Sequence, residues 1–305
     1  MVASGPILVI KLSALGDFVQ AFGPFEAIRK AHPDRDIHLL TTGAYAGLGE
    51  ATGWFDRVVI DERPKTFDLK GWLALRSRLR TPGYARVYDL QTSGRSSRYF
   101  KLFWPGAAPE WSGIAKGCSH PHANPKRDFM HTIERQAEQL AMAGIETTPF
   151  PDLSALRSDL ERLELPARFG LLVPGGAAHR RAKRWPWESY AELCRRLLAG
   201  PNITPVLIGQ EAQLLEKIAA QAPGTLNLAG RTGLADIAEL ARRAEFAVGN
   251  DTGPMHVITL AGAHAVVLYS HDSDPALCAQ RGPDVTIIRK PDLSDLPVDE
   301  VITAI

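Results

Sequence analysis

"PILVIKLSALGDFVQAFGPFEAIRKAHPD", residues 6–34, predicts a buried β-strand, a tight loop and an α-helix, in that order. The stretch opens with a continuous apolar run, which indicates a strand that is buried on both faces. After the loop, apolar residues recur at helical spacing until Pro33 ends the pattern. Such a unit is typical of a parallel sheet, because parallel strands need a crossover connection between them.

The same unit recurs through the first half of the chain. Apolar runs at residues 36–42, 55–61 and 85–91 are each followed by a helical pattern. After a last amphipathic helix, residues 146–169 change abruptly to a charged stretch with prolines. We therefore predict two domains, residues 1–155 and residues 156–305.

The second half restarts the pattern. Strands are predicted within residues 169–176, 203–210, 246–251 and 263–270, with helical patterns between them. The sequence thus predicts an α/β fold of two Rossmann-like, doubly wound domains that face a central cleft. In such folds ligands bind beyond the carboxyl ends of the strands.

Composition indicates an ordinary globular protein. The 305 residues are 45% hydrophobic and 23% charged, and the formal net charge of +1 offers no general attraction for nucleic acid. Cys118, Cys194 and Cys278 lie far apart, which favours a reducing compartment. The sequence has no signal-peptide pattern and no apolar run as long as a membrane span, so we expect a cytoplasmic location.

"PGGAAHRRAKRWP", residues 174–186, follows a predicted strand and combines glycines with basic residues. Gly175 and Gly176 allow close backbone approach, so the loop is a candidate diphosphate site. The alternative is a solvated basic loop. The basic side chains of the loop are His179, Arg180, Arg181, Lys183 and Arg184.

"GNDTGPMH", residues 249–256, also follows a predicted strand, and its Pro254 suits the first turn of a helix. Helix N-termini favour anions, so Thr252 and the Gly253 amide are candidate phosphate donors, with His256 one turn inside. Asp251 would cap the helix. The alternative is a capped helix with no ligand.

"KLSALGD", residues 11–17, is the matching loop of the first half. Asp17 stands beside Gly16, where its carboxylate could act as a general base toward an acceptor hydroxyl. The alternative is again a helix cap.

Several other patterns are absent or ambiguous. No G-x-G-x-x-G follows the first strand and no P-loop motif occurs, which argues against dehydrogenases and P-loop enzymes. "GCSHPHANP", residues 117–125, matches no structural zinc spacing. "HDSDP", residues 271–275, is an acidic pair that also suits a turn. "RYFKLFWPG", residues 98–106, could touch a bilayer interface, but a core strand or loop rim is the favoured interpretation.

The order of these motifs, together with "DLQTSGRSS" at residues 89–97, resembles glycosyltransferase family 9, the heptosyltransferases of lipopolysaccharide core assembly. The resemblance implies a GT-B fold and inverting transfer of a sugar, often heptose from ADP-heptose, without a metal or other cofactor. It implies that Asp17 is the general base and that Lys183 binds the donor diphosphate. The nucleotide site would include Asp251, Thr252, Gly253 and His256, with Asp236 as the nearest candidate for a ribose-binding carboxylate.

The resemblance also implies an anionic, membrane-embedded glycolipid acceptor. Basic residues of the first domain would bind it, and the protein would work peripherally at the inner face of the cytoplasmic membrane. The candidates are Lys11, Arg95, Arg98 and Arg127. Two alternatives stay open: a GT-B-like nucleotide-sugar epimerase or isomerase, and a non-enzymatic module that binds a nucleotide sugar or glycolipid.

Overall fold

A computed structural model describes residues 4–177, 180–200 and 202–305 of the chain. The chain divides into two compact units, Met1–Pro151 (unit 1) and Asp152–Ile305 (unit 2). The predicted boundary lies four residues later, at 155. Arg242 of unit 2 donates hydrogen bonds to the carbonyls of Leu153 and Leu156, at 2.7 and 2.9 Å, and so fixes this segment to unit 2.

Unit 1 contains a six-stranded parallel sheet with the order β3-β2-β1-β4-β5-β6. Its strands are β1 Ile7–Ile10, β2 Ile37–Thr41, β3 Arg57–Ile60, β4 Arg86–Asp89, β5 Glu110–Gly113 and β6 His120–Pro121. Its helices are α1 Leu15–Val19, α2 Phe22–Ala31, α3 Gly43–Ala51, α4 Leu69–Arg80, α5 Gly94–Phe100 and α6 Thr132–Met142, with 3-10 turns at Lys101–Phe103 and Arg127–Phe129.

Unit 2 repeats the architecture with the strand order β12-β11-β10-β7-β8-β9. Its strands are β7 Phe169–Val173, β8 Thr204–Leu207, β9 Leu226–Asn227, β10 Ala247–Asn250, β11 Ala265–Tyr269 and β12 Val285–Arg289. Its helices are α7 Trp187–Ala199, α8 Ala212–Gln221, α9 Leu234–Arg243, α10 Gly253–Leu260, α11 Pro275–Cys278 and α12 Val298–Thr303, with 3-10 turns at Glu161–Leu163, Arg181–Lys183 and Leu293–Asp295.

The central strands are the most deeply buried parts of each unit. All four residues of β1 and all five of β7 are buried, as expected for parallel strands covered by helices on both faces. In unit 1 the large side chains of Tyr99 and Trp111 fill the space beside β1. These rigid sheets hold the loops at their carboxyl ends in fixed positions.

Strand order decides which of those loops are neighbours. In unit 1 the loop after β1 lies beside the loop after β4, because these two strands pair. In unit 2 β7 pairs with β10, so the two motifs at residues 174–186 and 249–256 meet at one sheet edge. Within the described ranges we find no helix that combines the length and the apolar character needed to span a bilayer.

Candidate active site

Asn250, the last residue of β10, holds together both ends of the basic loop of unit 2. Its side-chain nitrogen donates to the carbonyls of Pro174 and Gly175, at 2.8 and 3.1 Å. Its oxygen accepts from the Trp185 amide at 3.0 Å and from the Tyr190 hydroxyl at 3.2 Å. Asn250 is fully buried, so all of these bonds form away from water. Asn250 was not among the predicted site residues, although an amide side chain at the end of an apolar strand was the available signal.

Replacing Asn250 with alanine is expected to lower the free energy of unfolding by about 2–3 kcal/mol, because buried partners lose their hydrogen bonds. Nucleotide binding should weaken as well, since the loop is no longer anchored. Asn227→Ala is the matched control, because Asn227 accepts a single bond from the Ala229 amide and is only half-buried. Equal unfolding midpoints in urea for the two variants would contradict the anchoring role.

Lys183 and Asp251 form an ion pair between the two motifs. The Lys183 Nζ lies 2.5 Å from Asp251 Oδ2, and the two side chains are 14% and 7% exposed. Asp251 also accepts hydrogen bonds from Ser273 Oγ at 2.6 Å and from Gln280 Nε2 at 3.0 Å. Burial raises the pKa of Asp251, but the bonds from Lys183, Ser273 and Gln280 outweigh it and hold the pKa below its usual value. The Asp251 carboxylate therefore stays ionised at neutral pH.

The prediction that Asp251 caps the helix is wrong. The N-cap residue of α10 is Thr252, and the cap makes no side-chain hydrogen bond. The Asp251 carboxylate instead accepts hydrogen bonds from Lys183, Ser273 and Gln280. Three such bonds, one of them from a charged donor, are stronger than a single hydrogen bond to a helix amide. Asp274 does behave as a turn residue, since it caps α11 by accepting from the Ala276 amide.

Thr252 and the start of α10 lie beside the glycine turn of the basic loop. A Cβ on Gly176 would lie 3.4 Å from the Thr252 methyl group. The Thr252 hydroxyl oxygen is buried and has no hydrogen-bond partner in the described part of the chain. Gly253 begins α10, and His256 lies buried one turn inside it. The structure therefore brings these predicted site residues together at a helix N-terminus, where an anion is favoured.

Glu211 and Arg184 complete the surroundings of the glycine turn. The Gly176 amide donates to Glu211 Oε1 at 2.9 Å, and Arg184 donates to the Gly176 carbonyl. A Cβ on Gly175 would lie 2.4 Å from Glu211 Oε2, so a larger residue there would displace the Glu211 carboxylate. Sequence reasoning missed Glu211, which comes from the loop before α8. Its carboxylate gives this site an acceptor for hydroxyl groups.

Asp236 lies in the first turn of α9, away from the basic loop. Its carboxylate accepts from Ser158 Oγ at 2.5 Å, Arg162 Nη2 at 2.6 Å and the Gly233 amide at 2.7 Å. Helix α9 follows β9, which is two strands from β7 in the sheet. The structure therefore does not bring Asp236 together with Lys183. His179 of the basic loop lies outside the described residues.

In unit 1, Asp17 lies in the first turn of α1 and is partly exposed. Its Oδ2 is 3.4 Å from the Ala14 amide, which is a long cap bond. The loop before α1 is fixed by the loop that follows β4, because Gln91 Oε1 accepts from the amides of Leu12 at 2.8 Å and Ser13 at 3.0 Å. The Asp17 carboxylate thus sits on a fixed loop and keeps most of its acceptor capacity.

Lys11 and Asp89 are buried beneath this loop. Lys11 Nζ donates to the Leu90 carbonyl at 3.0 Å, and burial lowers its pKa, opposed by the nearby charge of Asp17. Burial also raises the pKa of Asp89 to about 6, although the amides of Gln91 and Thr92 donate to its Oδ1. Lys11 was predicted to bind the acceptor, and the structure places its ammonium on a backbone carbonyl.

The Asp89 carboxyl makes stability depend on pH. The unfolded chain releases this proton near pH 3.8, whereas the folded protein retains it until about pH 6. Over that window the folded state binds more protons, so its stability falls as the pH rises. We expect the stability advantage of Asp89→Asn over the wild type to grow by about 2 kcal/mol between pH ~4 and ~7. Urea unfolding at several pH values measures it, and a flat difference would contradict this explanation.

The three arginines predicted to bind the acceptor contact different partners. Arg95 donates to the Pro64 carbonyl at 3.1 Å and lies 5.7 Å from the Trp72 ring centre. Arg98 is exposed and donates to the Gly94 carbonyl within its own helix. Arg127 pairs with Asp128 at 2.6 Å.

Arg135 of α6 is a cation that the sequence analysis did not single out. Burial lowers its pKa, as does the neighbouring charge of Arg127, whereas Asp17 raises it. These effects place Arg135 within electrostatic reach of both Arg127 and Asp17. Among the residues described, no group of three or more potential ligand side chains could hold a metal ion.

The family model and the curated relative both indicate glycosyltransferase family 9. The family model of glycosyltransferase family 9 (heptosyltransferase) matches residues 72–299. A lipopolysaccharide core heptosyltransferase of Haemophilus influenzae, OpsX, is 22% identical over 282 residues, covering 87% of this chain and 79% of the relative.

Solved structures confirm the predicted GT-B type of α/β fold. The E. coli ADP-heptose LPS heptosyltransferase II superimposes with a TM-score of 0.77 and 22% identity, covering 98% of this chain and 97% of that one. A family 9 glycosyl transferase of Veillonella parvula gives a TM-score of 0.84 with 18% identity, covering 99% and 96%.

Proposed function

The chain belongs to glycosyltransferase family 9, and on that basis we propose that it transfers heptose from ADP-heptose to a lipopolysaccharide-core glycolipid, with inversion at the anomeric carbon. The observation that carries the donor half of this proposal is the charged Lys183–Asp251 pair beside the start of α10. The relatives support the choice of sugar, since both OpsX and the E. coli enzyme are described as heptosyltransferases.

Unit 2 would bind the donor. The diphosphate would lie against the Gly176 turn and the first amides of α10, where Lys183 supplies a full positive charge. As the bond between the sugar and the diphosphate breaks, negative charge grows on the leaving oxygen. Lys183 would stabilise that charge, and Asp251 would hold the ammonium in position. Glu211 could accept hydrogen bonds from hydroxyl groups of the nucleotide or sugar.

Unit 1 would supply the base and bind the acceptor. Asp17 would remove the proton from the acceptor hydroxyl while the hydroxyl oxygen attacks the anomeric carbon, and the nucleoside diphosphate leaves from the opposite face. One bond forms and one breaks in this displacement, so the configuration inverts. Arg95, Arg98 and Arg127 would bind the anionic acceptor, and Lys11 would support the Asp17 loop from below.

The proposed reaction uses no metal and no cofactor besides the nucleotide sugar. Lys183 and the α10 amides provide the positive potential that a metal ion would otherwise supply. We also propose that the protein works peripherally at the inner face of the cytoplasmic membrane, where a lipid-anchored acceptor would be found. The epimerase and the non-enzymatic alternatives are not favoured, because the family model and the curated relative are both heptosyltransferases.

A transfer assay tests this proposal. The purified protein is incubated with ADP-heptose and a lipopolysaccharide acceptor that lacks heptose, in EDTA, and the product is analysed by mass spectrometry. We expect the acceptor to gain the mass of one heptose and ADP to be released in equal amount. An unmodified acceptor with an epimerised nucleotide sugar would instead support the alternative enzyme class.

A further inference from the structure

Four large apolar side chains of unit 1 lie exposed around helix α4. Their exposed fractions are 93% for Phe67, 76% for Leu69, 63% for Leu73 and 76% for Trp104. We refer to these four residues as the α4 patch. Side chains this exposed contribute little to the core, so folding does not explain their apolar character.

The α4 patch is one surface and not four scattered residues. Leu69 and Leu73 are one helical turn apart on the same face of α4. Arg76 of α4 donates to the carbonyls of Leu102 and Trp104, at 3.0 and 3.2 Å, and so fixes the Trp104 segment beside the helix. The opposite face of α4 is buried through residues that include Leu75.

Basic side chains surround the patch. Four exposed cations without an ion-pair partner in the described ranges stand next to it in the chain: Lys65, Lys70, Arg80 and Lys101. Residues 65–80 contain five basic side chains and a single acidic one, Asp68, while the whole chain has a net charge of only +1. Positive charge is therefore concentrated around the exposed apolar residues.

We propose that unit 1 binds an anionic phospholipid surface through the α4 patch, with the surrounding lysines and arginines on the lipid head groups. This proposal rests on the proposed function, because a lipid-anchored acceptor requires the enzyme to work at a membrane. Apolar and aromatic side chains enter the interfacial layer of a bilayer, and neighbouring cations are attracted to its negative surface.

Two further observations favour a bilayer over a second copy of the chain. A symmetric dimer through this patch would bring two basic rims together, and like charges repel. In addition, the Trp72 ring on α4 contacts Arg95, a proposed acceptor-binding residue. The lipid contact on α4 would thus lie beside a residue of α5 that binds the acceptor head group.

Vesicle flotation tests the proposal. The wild type is expected to float with vesicles of equal parts phosphatidylglycerol and phosphatidylcholine, and to remain behind with pure phosphatidylcholine. Phe67→Ser/Leu73→Ser/Trp104→Ser should reduce partitioning about tenfold or more, because its apolar contacts are lost. Lys70→Gln/Lys101→Gln should reduce it to a smaller extent. Met142→Ser/Phe150→Ser is the matched control, since it alters exposed apolar residues of unit 1 outside the patch.

The proposal would be overturned if the wild type did not bind anionic vesicles, or if the triple variant floated with them as the wild type does. It would also be overturned if the wild type were a dimer and the triple variant a monomer. Transfer to a water-soluble, delipidated core oligosaccharide separates this proposal from the proposed function. The triple variant should keep wild-type turnover on that acceptor. A wild type that binds vesicles but transfers no heptose would leave the docking surface standing and would contradict the proposed function.

Discussion

Replacing Asp17 with asparagine is expected to reduce kcat by about 10²- to 10⁴-fold, the range for removing a general base. Asparagine has nearly the same shape, and its amide oxygen can still accept from the Ala14 amide, so the first turn of α1 should persist. Steady-state kinetics of ADP release in the presence of acceptor measure the effect. Binding of ADP should be unchanged, because the donor-site residues belong to unit 2.

A control variant separates catalysis from helix capping. Asp292→Asn alters an exposed carboxylate that caps a 3-10 turn by accepting from the Ser294 amide. If Asp17 were only a cap, the two variants would show similar small stability losses and wild-type rates. A normal kcat for Asp17→Asn would therefore contradict its role as the base.

Lys183→Ala is expected to weaken ADP binding by about 10- to 100-fold and to lower kcat/KM by about 10³-fold. ADP affinity falls because the contact between Lys183 and the bound diphosphate is lost. The value of kcat/KM falls further, because Lys183 no longer stabilises the negative charge that develops on the leaving oxygen. The variant also leaves the buried Asp251 carboxylate without its cation, so that it repels the nucleotide. Calorimetry and steady-state kinetics measure the two effects.

Two further variants identify the cause of that loss. Lys183→Ala/Asp251→Asn should recover part of the ADP affinity, because it removes the uncompensated negative charge. Lys217→Ala is the control for loss of a lysine in unit 2, since Lys217 lies over the Trp187 ring outside the site. Equal affinity of Lys183→Ala and the wild type would rule out the diphosphate contact.

The sequence predicts the architecture well because apolar periodicity is a local property. The strand predicted at the start of residues 6–34 corresponds to β1, and the strand predicted within residues 169–176 corresponds to β7. The predicted single helix after β1 is divided into α1 and α2. The short strands β5 and β6 at one side of the sheet are not evident in the sequence, because their residues lack a continuous apolar run.

The site is harder to predict because its contacts join distant residues. Lys183 reaches Asp251 across 68 positions, and no local pattern indicates that pairing. Asp251 has the local sequence of a helix cap, which explains the wrong prediction. The hydrogen-bond partners of Asn250 and Glu211 become evident only when β10, β7 and the loop before α8 are brought together. The roles assigned to Asp17, Lys183 and the arginines remain predictions.

The proposed function requires that unit 2 binds an adenosine diphosphate group through Lys183 and the start of α10. Isothermal titration of the whole protein with ADP, UDP and GDP, each with and without EDTA, measures this binding. We expect selective ADP binding that EDTA does not change. Preference for UDP or GDP, or an absence of nucleotide binding by the wild type, would contradict it.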